Sequence, residues 1–264
     1  MEKLAIMQPY FLPYLGYFQL MASVDEFMPY PHVDFSRKSY VLRNRWEDQG
    51  ELVWFHLPIN KQPVGAKIEE LTFHQLDTWQ AKWFKSCRTQ YGRSPHFEET
   101  MALLEDFNWN GQVHVHEFIT DSLEKVANHL GVPTELTSGQ LASIQEVESE
   151  VRRIGIPALR RHQRVKMLLE LSGKRAYVNA ASGRALYDPE WFRIQNQQIG
   201  FMTGNWDNCD RLASAEFQNA SILHLLMNFG REQVSLWVSS SSLTFAVDWL
   251  DNKWDQAKAT RQTV

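Results

Sequence analysis

The chain has 264 residues, 44% hydrophobic, 12% aromatic and 22% charged, an ordinary globular composition with room for one large domain or two small ones. Its 27 Lys and Arg against 31 Asp and Glu give a formal charge of −4, so no broad positive field exists to collect nucleic acid or an anionic membrane. Cys87 and Cys209 lie far apart and outside any CxxC spacing, which excludes a disulfide scaffold and a cysteine-rich metal fold and points to a reducing, cytoplasmic setting.

The chain opens without a basic region, long apolar core and small-residue cleavage site, so no secretory leader is expected. Residues 3–7 form an apolar run closed by Gln8 and Pro9, which suits a strand that stops before proline. The apolar stretch over 10–22 is broken by Pro13 and Gly16 and is too short to span a bilayer, so no membrane insertion is expected. Leu15, Phe18, Leu20, Met21 and Val24 give a helical stripe, and a second apolar run follows over 26–30. Strand, loop, helix, strand is a βαβ unit, whose functional loop belongs at the carboxyl end of the first strand, here residues 8–16.

Residues 52–59 are expected to form a further buried strand limited by Pro58, and 68–73 another short one. Trp79, Trp83, Phe84, Cys87 and Tyr91 fall at helical spacing, which predicts a helix over 78–91 with its aromatic stripe inward. Asp121, with Glu124 three positions on, reads as the cap of the next helix, which Gly131 ends before a strand candidate at 132–137. After the charged segment 145–164, Val165, Leu168, Leu169 and Leu171 mark a helix stopped by Gly173, and 175–179 reads as a strand. A last central strand is expected at 201–205 and a helix at 221–229, ending at Gly230. This alternation implies an α/β fold with a mainly parallel sheet flanked by helices. Residues 1–230 read as a single domain. Residues 231–264 read as a C-terminal extension, partly helical through Phe245, Val247, Trp249 and Trp254, with 259–264 loose.

Among candidate site residues, the loop after the first strand stands out. Gly16 permits close approach of a ligand to backbone, the Gln8 amide offers donors and an acceptor, and Tyr10, Tyr14 and Tyr17 combine flat apolar faces with hydroxyls suited to a sugar or base. The same aromatics could instead staple the loop to the core. Arg37, Lys38, Arg43 and Arg45 gather around Tyr40; on a strand Arg43 and Arg45 share one face while Asn44 points to the other. Arg161 and Arg164, at i and i+3 on a helix, can meet one phosphate, or the arginines here can pair with Glu146, Glu148 and Glu150. His162, beside them, is the candidate general base by residue type. His114 and His116 would share a strand face, but no third ligand is indicated and no metal is expected. Cys87 reads as core, and the acidic neighbours Asp207 and Asp210 would raise the Cys209 thiol rather than activate it. No Gly-x-Ser-x-Gly elbow and no P-loop occur.

The run Ile6-Met-Gln-Pro-Tyr-Phe-Leu-Pro-Tyr-Leu-Gly-Tyr-Phe18, followed by Val24-Asp25, resembles the opening signature of the WbqC-like family, whose members occur in bacterial surface-polysaccharide gene clusters. Tyr40 with Arg43-Asn44 resembles its second block; Tyr177-Val-Asn179, Ser182-Gly183 and Tyr187-Asp188 its third; and Ser221-Ile-Leu with Leu225-Leu226 and Gly230 its last. The resemblance spans residues 3–230, with departures at His224, where an acidic residue is expected, and Asp34, where an amide is. It implies that Arg43, Asn44, Tyr177, Asn179, Ser182, Gly183, Tyr187 and Asp188 join the loop residues in a substrate site. It also implies transfer of an acyl or aminoacyl group to a nucleotide-linked amino sugar. The donor would be a thioester on coenzyme A or on the phosphopantetheine of an acyl carrier protein, with no permanently bound cofactor.

A second likeness is one of layout. Tyr14-Leu-Gly-Tyr17, after a strand and a proline-containing loop, is similar to the His-x-Gly-His loop of nucleotidyltransferases and related Rossmann-like domains. Tyrosines replace both histidines, and a phenol donates a hydrogen bond but supplies no positive charge to phosphate, so nucleotide binding is compatible with the change and efficient adenylyl transfer is disfavoured. A nucleotide-dependent ligase or nucleotidyltransferase-like enzyme, and a non-catalytic sugar-nucleotide or carrier-protein binding module, are the alternatives.

Overall fold

The computed structural model describes residues 1–110, 113–137, 141–204 and 219–245. Strands β1 (Lys3–Met7) and β2 (Glu26–Pro29) flank helix α1 (Leu15–Ala22), as the apolar periodicity predicts. A hairpin of β3 (Arg43–Asp48) and β4 (Glu51–His56) follows, then α2 (Leu76–Tyr91), α3 (Phe97–Glu105), α4 (Val115–His129) and the two-residue β5 (Glu135–Leu136). The second half contains α5 (Leu141–Arg153), α6 (Pro157–Ser172), β6 (Ala176–Ala180), α7 (Pro189–Ile194), β7 (Gln198–Thr203), α8 (Ile222–Ser239) and β8 (Ser242–Phe245).

Six strands form one sheet in the order β5-β2-β1-β6-β7-β8, parallel throughout except for β8, which pairs antiparallel with β7. Its central strands are apolar on both faces because helices cover both. Along each strand, alternate residues enter two separate apolar layers. Ala5, Phe27, Val178 and Met202 join α1, α2, α4 and α8 on one face, whereas Leu4, Met28, Tyr177 and Phe201 join α5, α6 and α7 on the other. Chain order runs outward from β1 to β2 and β5, then returns to β6 on the other side of β1. That reversal between β1 and β6 is where open α/β sheets form ligand crevices, at the carboxyl ends of the strands.

Gly173 ends α6 in the left-handed region at φ 70°, which lets Lys174 N donate to Leu169 O at 3.0 Å and satisfy a terminal carbonyl. Several elements differ from the sequence reading. The strand expected at 52–59 is β4, which belongs to the separate hairpin and leaves Val53 and Trp54 exposed; its two-residue turn is set by positive φ at Gln49 and Gly50. Residues 68–73 hold a single 3-10 turn, Ile68–Glu70, rather than a strand. Helix α4 starts six residues before Asp121, which instead accepts from Asn108 N and faces Lys125. Gly230 does interrupt helical backbone (φ 73°, ψ 173°), but helix resumes to Ser239 and β8 then extends the sheet. Residues 231–245 are thus continuous with the main fold, and the helix expected around Val247, Trp249 and Trp254 lies outside the described residues. Among the described residues no helix is long and apolar enough to cross a membrane.

Candidate functional site

A cleft of about 430 Å³ opens at the switch point, walled by residues that follow β1, β2 and β6 and by one face of α6. Ten residues singled out from sequence meet there: Gln8, Tyr10 and Tyr14 after β1; Arg161 and Arg164 on α6; and Tyr177, Asn179, Ser182, Gly183 and Tyr187 on and after β6. Its volume is that of a small-molecule or nucleotide site.

The loop over 8–14 is held from three sides. Phe11 N donates to Val41 O (3.0 Å), Ile222 N donates to Pro13 O (2.8 Å), and the Tyr17 hydroxyl donates to Gln8 O (2.9 Å). Tyr17 is buried against Phe27 and Tyr10 and its hydroxyl is pushed well above its ordinary pKa by burial. It braces the cleft from behind rather than lining it. Gly16 has the same kind of role: a Cβ there would stand 3.0 Å from the Tyr14 ring, so its absence lets that ring lie flat on the start of α1. Burial pushes the Tyr10 hydroxyl up to about 12 and raises that of Tyr14, with neighbouring tyrosines adding to both shifts. These phenols therefore act as neutral donors with apolar faces.

On the opposite wall the hydroxyls of Tyr177 and Tyr187 lie 3.2 Å apart, and Asn179 Oδ1 accepts from Ala180 N at 2.7 Å. Gly183 packs on that amide; a Cβ at 183 would lie 2.7 Å from Asn179 Nδ2.

The charged face is asymmetric. Arg164 grips Glu148 through Nε at 2.5 Å and Nη2 at 3.0 Å, and the Tyr30 hydroxyl donates to the same carboxylate at 2.6 Å. Burial works against charge on Glu148, but hydrogen bonds from Arg164 and Tyr30 outweigh it and hold the carboxyl below its ordinary range. Arg161 donates to Leu186 O at 2.9 Å and meets no carboxylate among the described residues. The cleft lining therefore carries two guanidinium groups and no acid. It can receive an anion on Arg161 while Arg164 stays fixed. Of the two sequence readings of this arginine run, ion pairing describes Arg164 and an open cation describes Arg161.

Four predicted residues lie elsewhere. Asn44 is fully buried and donates to Leu12 O at 2.6 Å, so it shapes the loop without reaching the cleft. Arg43 hydrogen-bonds Lys38 O and Ser39 O and lies 4.2 Å over Trp54, on the outer side of the hairpin. Asp188 caps α7 by accepting from Glu190 N. His162 is not placed to act as a base: Nδ1 bonds Ala158 O at 2.8 Å and Nε2 accepts from Asp188 N at 2.8 Å, so both ring nitrogens are taken and the lone pair is used. Adjacency to the arginines in sequence does not make His162 a base, because its ring packs against Tyr187, Trp191 and Phe192 with both nitrogens bonded.

Cys87 is buried, and burial pushes its thiol up to about 12, the reverse of activation; Cys209 lies outside the described residues. His114 immediately precedes α4 and His116 sits in its first turn, so neither is on a strand. Among the described residues no three His, Cys, Asp or Glu side chains gather to hold a metal. Sequence reasoning missed Tyr30 and Val33 as cleft residues. The available signal was topological, since residues 30–33 follow the carboxyl end of the second parallel strand.

The sequence model of the WbqC-like protein family matches residues 8–236. The chain is 25% identical over 241 residues to an uncharacterized protein of Mycobacterium tuberculosis, covering 88% of this chain and 96% of that one. No solved structure gives a significant match.

Proposed function

Given that the chain belongs to the WbqC-like protein family, we propose that it is a transferase that moves an acyl or aminoacyl group from a thioester donor to a nucleotide-linked amino sugar in surface-polysaccharide biosynthesis. The observation that carries this reading is the cleft at the sheet's switch point, lined by two arginines, several tyrosines and no carboxylate. Arg161 takes a phosphate of the nucleotide, Tyr10 and Tyr14 offer ring faces to base or sugar, and Asn179, Ser182 and Tyr187 supply hydrogen bonds that orient the sugar. The donor is a co-substrate, coenzyme A thioester or the phosphopantetheine arm of an acyl carrier protein, and the setting is the cytoplasm, where both substrates occur.

An amine attacking a thioester already has a good nucleophile and a good leaving group, so positioning and one base suffice. Native mass spectrometry of the protein with UDP- and dTDP-amino sugars, coenzyme A, ATP and a glycyl-loaded carrier protein tests the reading. A sugar-nucleotide adduct together with a mass-shifted amide product is the expected result. Binding without product would favour a binding module, and ATP cleavage without acyl transfer would favour a ligase.

A further inference from the structure

The run of aromatic rings that begins in the cleft continues beyond it. Tyr10 and Tyr14, which line the cleft, lie 6.0 and 6.3 Å by ring centroid from Tyr40, and Tyr40 lies 5.5 Å from Trp54 on β4. Tyr40 thus joins the cleft to the outer face of the hairpin, where Trp54 is 37% exposed. The register of β3 against β4 sets Arg45 opposite Trp54 and Arg43 opposite His56, so these four side chains share that face.

The surroundings of the indole are cationic. The Arg43 guanidinium carbon lies 4.2 Å from the Trp54 ring centroid and that of Arg45 5.2 Å. Arg43 donates through Nε to Ser39 O and through Nη2 to Lys38 O, which fixes its fork and leaves Nη1 without a partner among the described residues. Arg45 Nε is buried with no hydrogen-bond partner among them. Neither arginine, nor Lys38 in the loop before β3, meets a carboxylate among the described residues. Glu47, the acid on the same strand face, is turned to the hairpin tip, where it accepts from Gly50 N at 2.6 Å. Burial and the charge of Arg43 both lower the pKa of His56, which favours its neutral form. Two guanidinium groups over one ring repel each other and keep unmet donors, and an anion beside them supplies both acceptor and countercharge. The exposed rings offer a platform for a flat base. A phosphate-bearing aromatic ligand answers both features, whereas a protein partner needs a far wider face than one indole and three cations.

We infer that this outer hairpin face, with Arg43, Arg45 and Lys38 around Trp54 and Tyr40, binds the nucleotide end of a coenzyme A donor; this rests on the transferase reading above. The adenine packs on the exposed rings and the phosphates meet the arginines. The pantetheine arm runs over Tyr40 to Tyr10 and Tyr14, and so brings the thioester into the cleft that holds the acceptor. Acceptor and donor nucleotides therefore occupy different places and do not compete.

Isothermal titration of the full chain with coenzyme A, dephospho-coenzyme A and UDP tests the assignment. Wild type is expected to bind coenzyme A and UDP together, and to bind dephospho-coenzyme A more weakly because its 3′-phosphate is missing. Arg43→Gln combined with Arg45→Gln is expected to weaken coenzyme A on the order of 100-fold, the worth of two charge-assisted contacts. The preference over dephospho-coenzyme A should vanish in that variant while the Kd of UDP, which also reports the fold, stays unchanged. Arg43→Lys combined with Arg45→Lys keeps the charge and should recover part of the loss. A wild type that binds no coenzyme A, competition between coenzyme A and UDP, or equal coenzyme A affinity in the Gln variant overturns the assignment. Binding of a glycyl-loaded carrier protein that the Gln variant loses, with free coenzyme A ignored by wild type, overturns it in favour of protein docking. Coenzyme A bound as expected, with no amide formed from any acyl-coenzyme A, overturns the transferase reading instead and leaves the subsite standing.

Discussion

Asn44 donates a 2.6 Å hydrogen bond to the carbonyl of Leu12, a residue held in the left-handed region at φ 44°. The same carbonyl accepts from Ser221 Oγ at 2.7 Å. A leucine in this conformation is strained by roughly 1 kcal/mol or more, and two buried side chains from β3 and from the start of α8 over-determine it. The segments around Asn44 and Ser221 thus meet at one atom of the loop that carries Tyr10 and Tyr14 to the cleft. Asn44→Ala is expected to lower unfolding stability by about 1–3 kcal/mol, read from urea denaturation, and to weaken UDP binding although Asn44 touches no ligand. Unchanged affinity in a folded Asn44→Ala protein would separate the loop's shape from the cleft's function.

This relationship also shows what the sequence makes legible. The loop after β1 was readable because Pro9 marks where an apolar strand ends and ligand sites gather at such ends, whereas the segment after β6 was singled out by its resemblance to a family block. Arg43 was misplaced for a physical reason: strand parity says that it faces away from Asn44, but not which of the two faces meets the cleft. Neither does, since β3 pairs only with β4 and stands off the main sheet. The Nε2 of His162 is taken by Asp188 N, 26 residues away, and the Nδ1 of His32 by Glu69, 37 residues away. No local spacing encodes either contact. β8 was hidden in a serine-rich stretch because its pairing with β7 is a long-range backbone contact rather than a local preference.

Arg161 and Arg164 should separate in a binding assay. Arg161 keeps its guanidinium open apart from one bond to Leu186 O, so Arg161→Gln is expected to leave the fold intact and weaken UDP binding by roughly 10- to 100-fold, the worth of a charge-assisted contact. Arg161→Lys should recover part of that loss, because it restores charge but not the planar fork. The salt dependence of Kd should shrink in the Gln variant. Equal affinity in all three proteins would place the phosphate elsewhere.

Arg164 is expected to matter first for stability. Its partner Glu148 is 6% exposed, so removing the arginine alone leaves a carboxylate buried without its counterion. Arg164→Leu should therefore destabilise by about 3–5 kcal/mol, whereas Arg164→Leu combined with Glu148→Leu should come back towards wild type. Chemical denaturation of the two singles and the double gives the coupling directly. Additive losses would mean that the pair is not the unit of stabilisation.

Acid should destabilise the fold in two stages. Burial lowers the pKa of His56, His116, His129 and His224, so the folded protein resists protons that the unfolded chain accepts. Their stabilising effect is complete above the ordinary histidine pKa and is lost as pH falls through it towards the lowered folded values. Glu69 and Glu148 also have folded pKa values below the ordinary glutamate value, through hydrogen bonds that outweigh their burial. Their contribution is complete above the ordinary value and is lost as pH falls through it in turn. The midpoint of urea unfolding should thus be level near pH 8, decline through pH 6, and fall again below about pH 4.5. His224, 7% exposed and 3.2 Å from the Tyr91 hydroxyl, tests the first stage: His224→Asn should flatten the decline between pH 7 and pH 5 while leaving the second fall in place. A variant whose profile runs parallel to wild type across that window would assign the first stage to His56, His116 and His129.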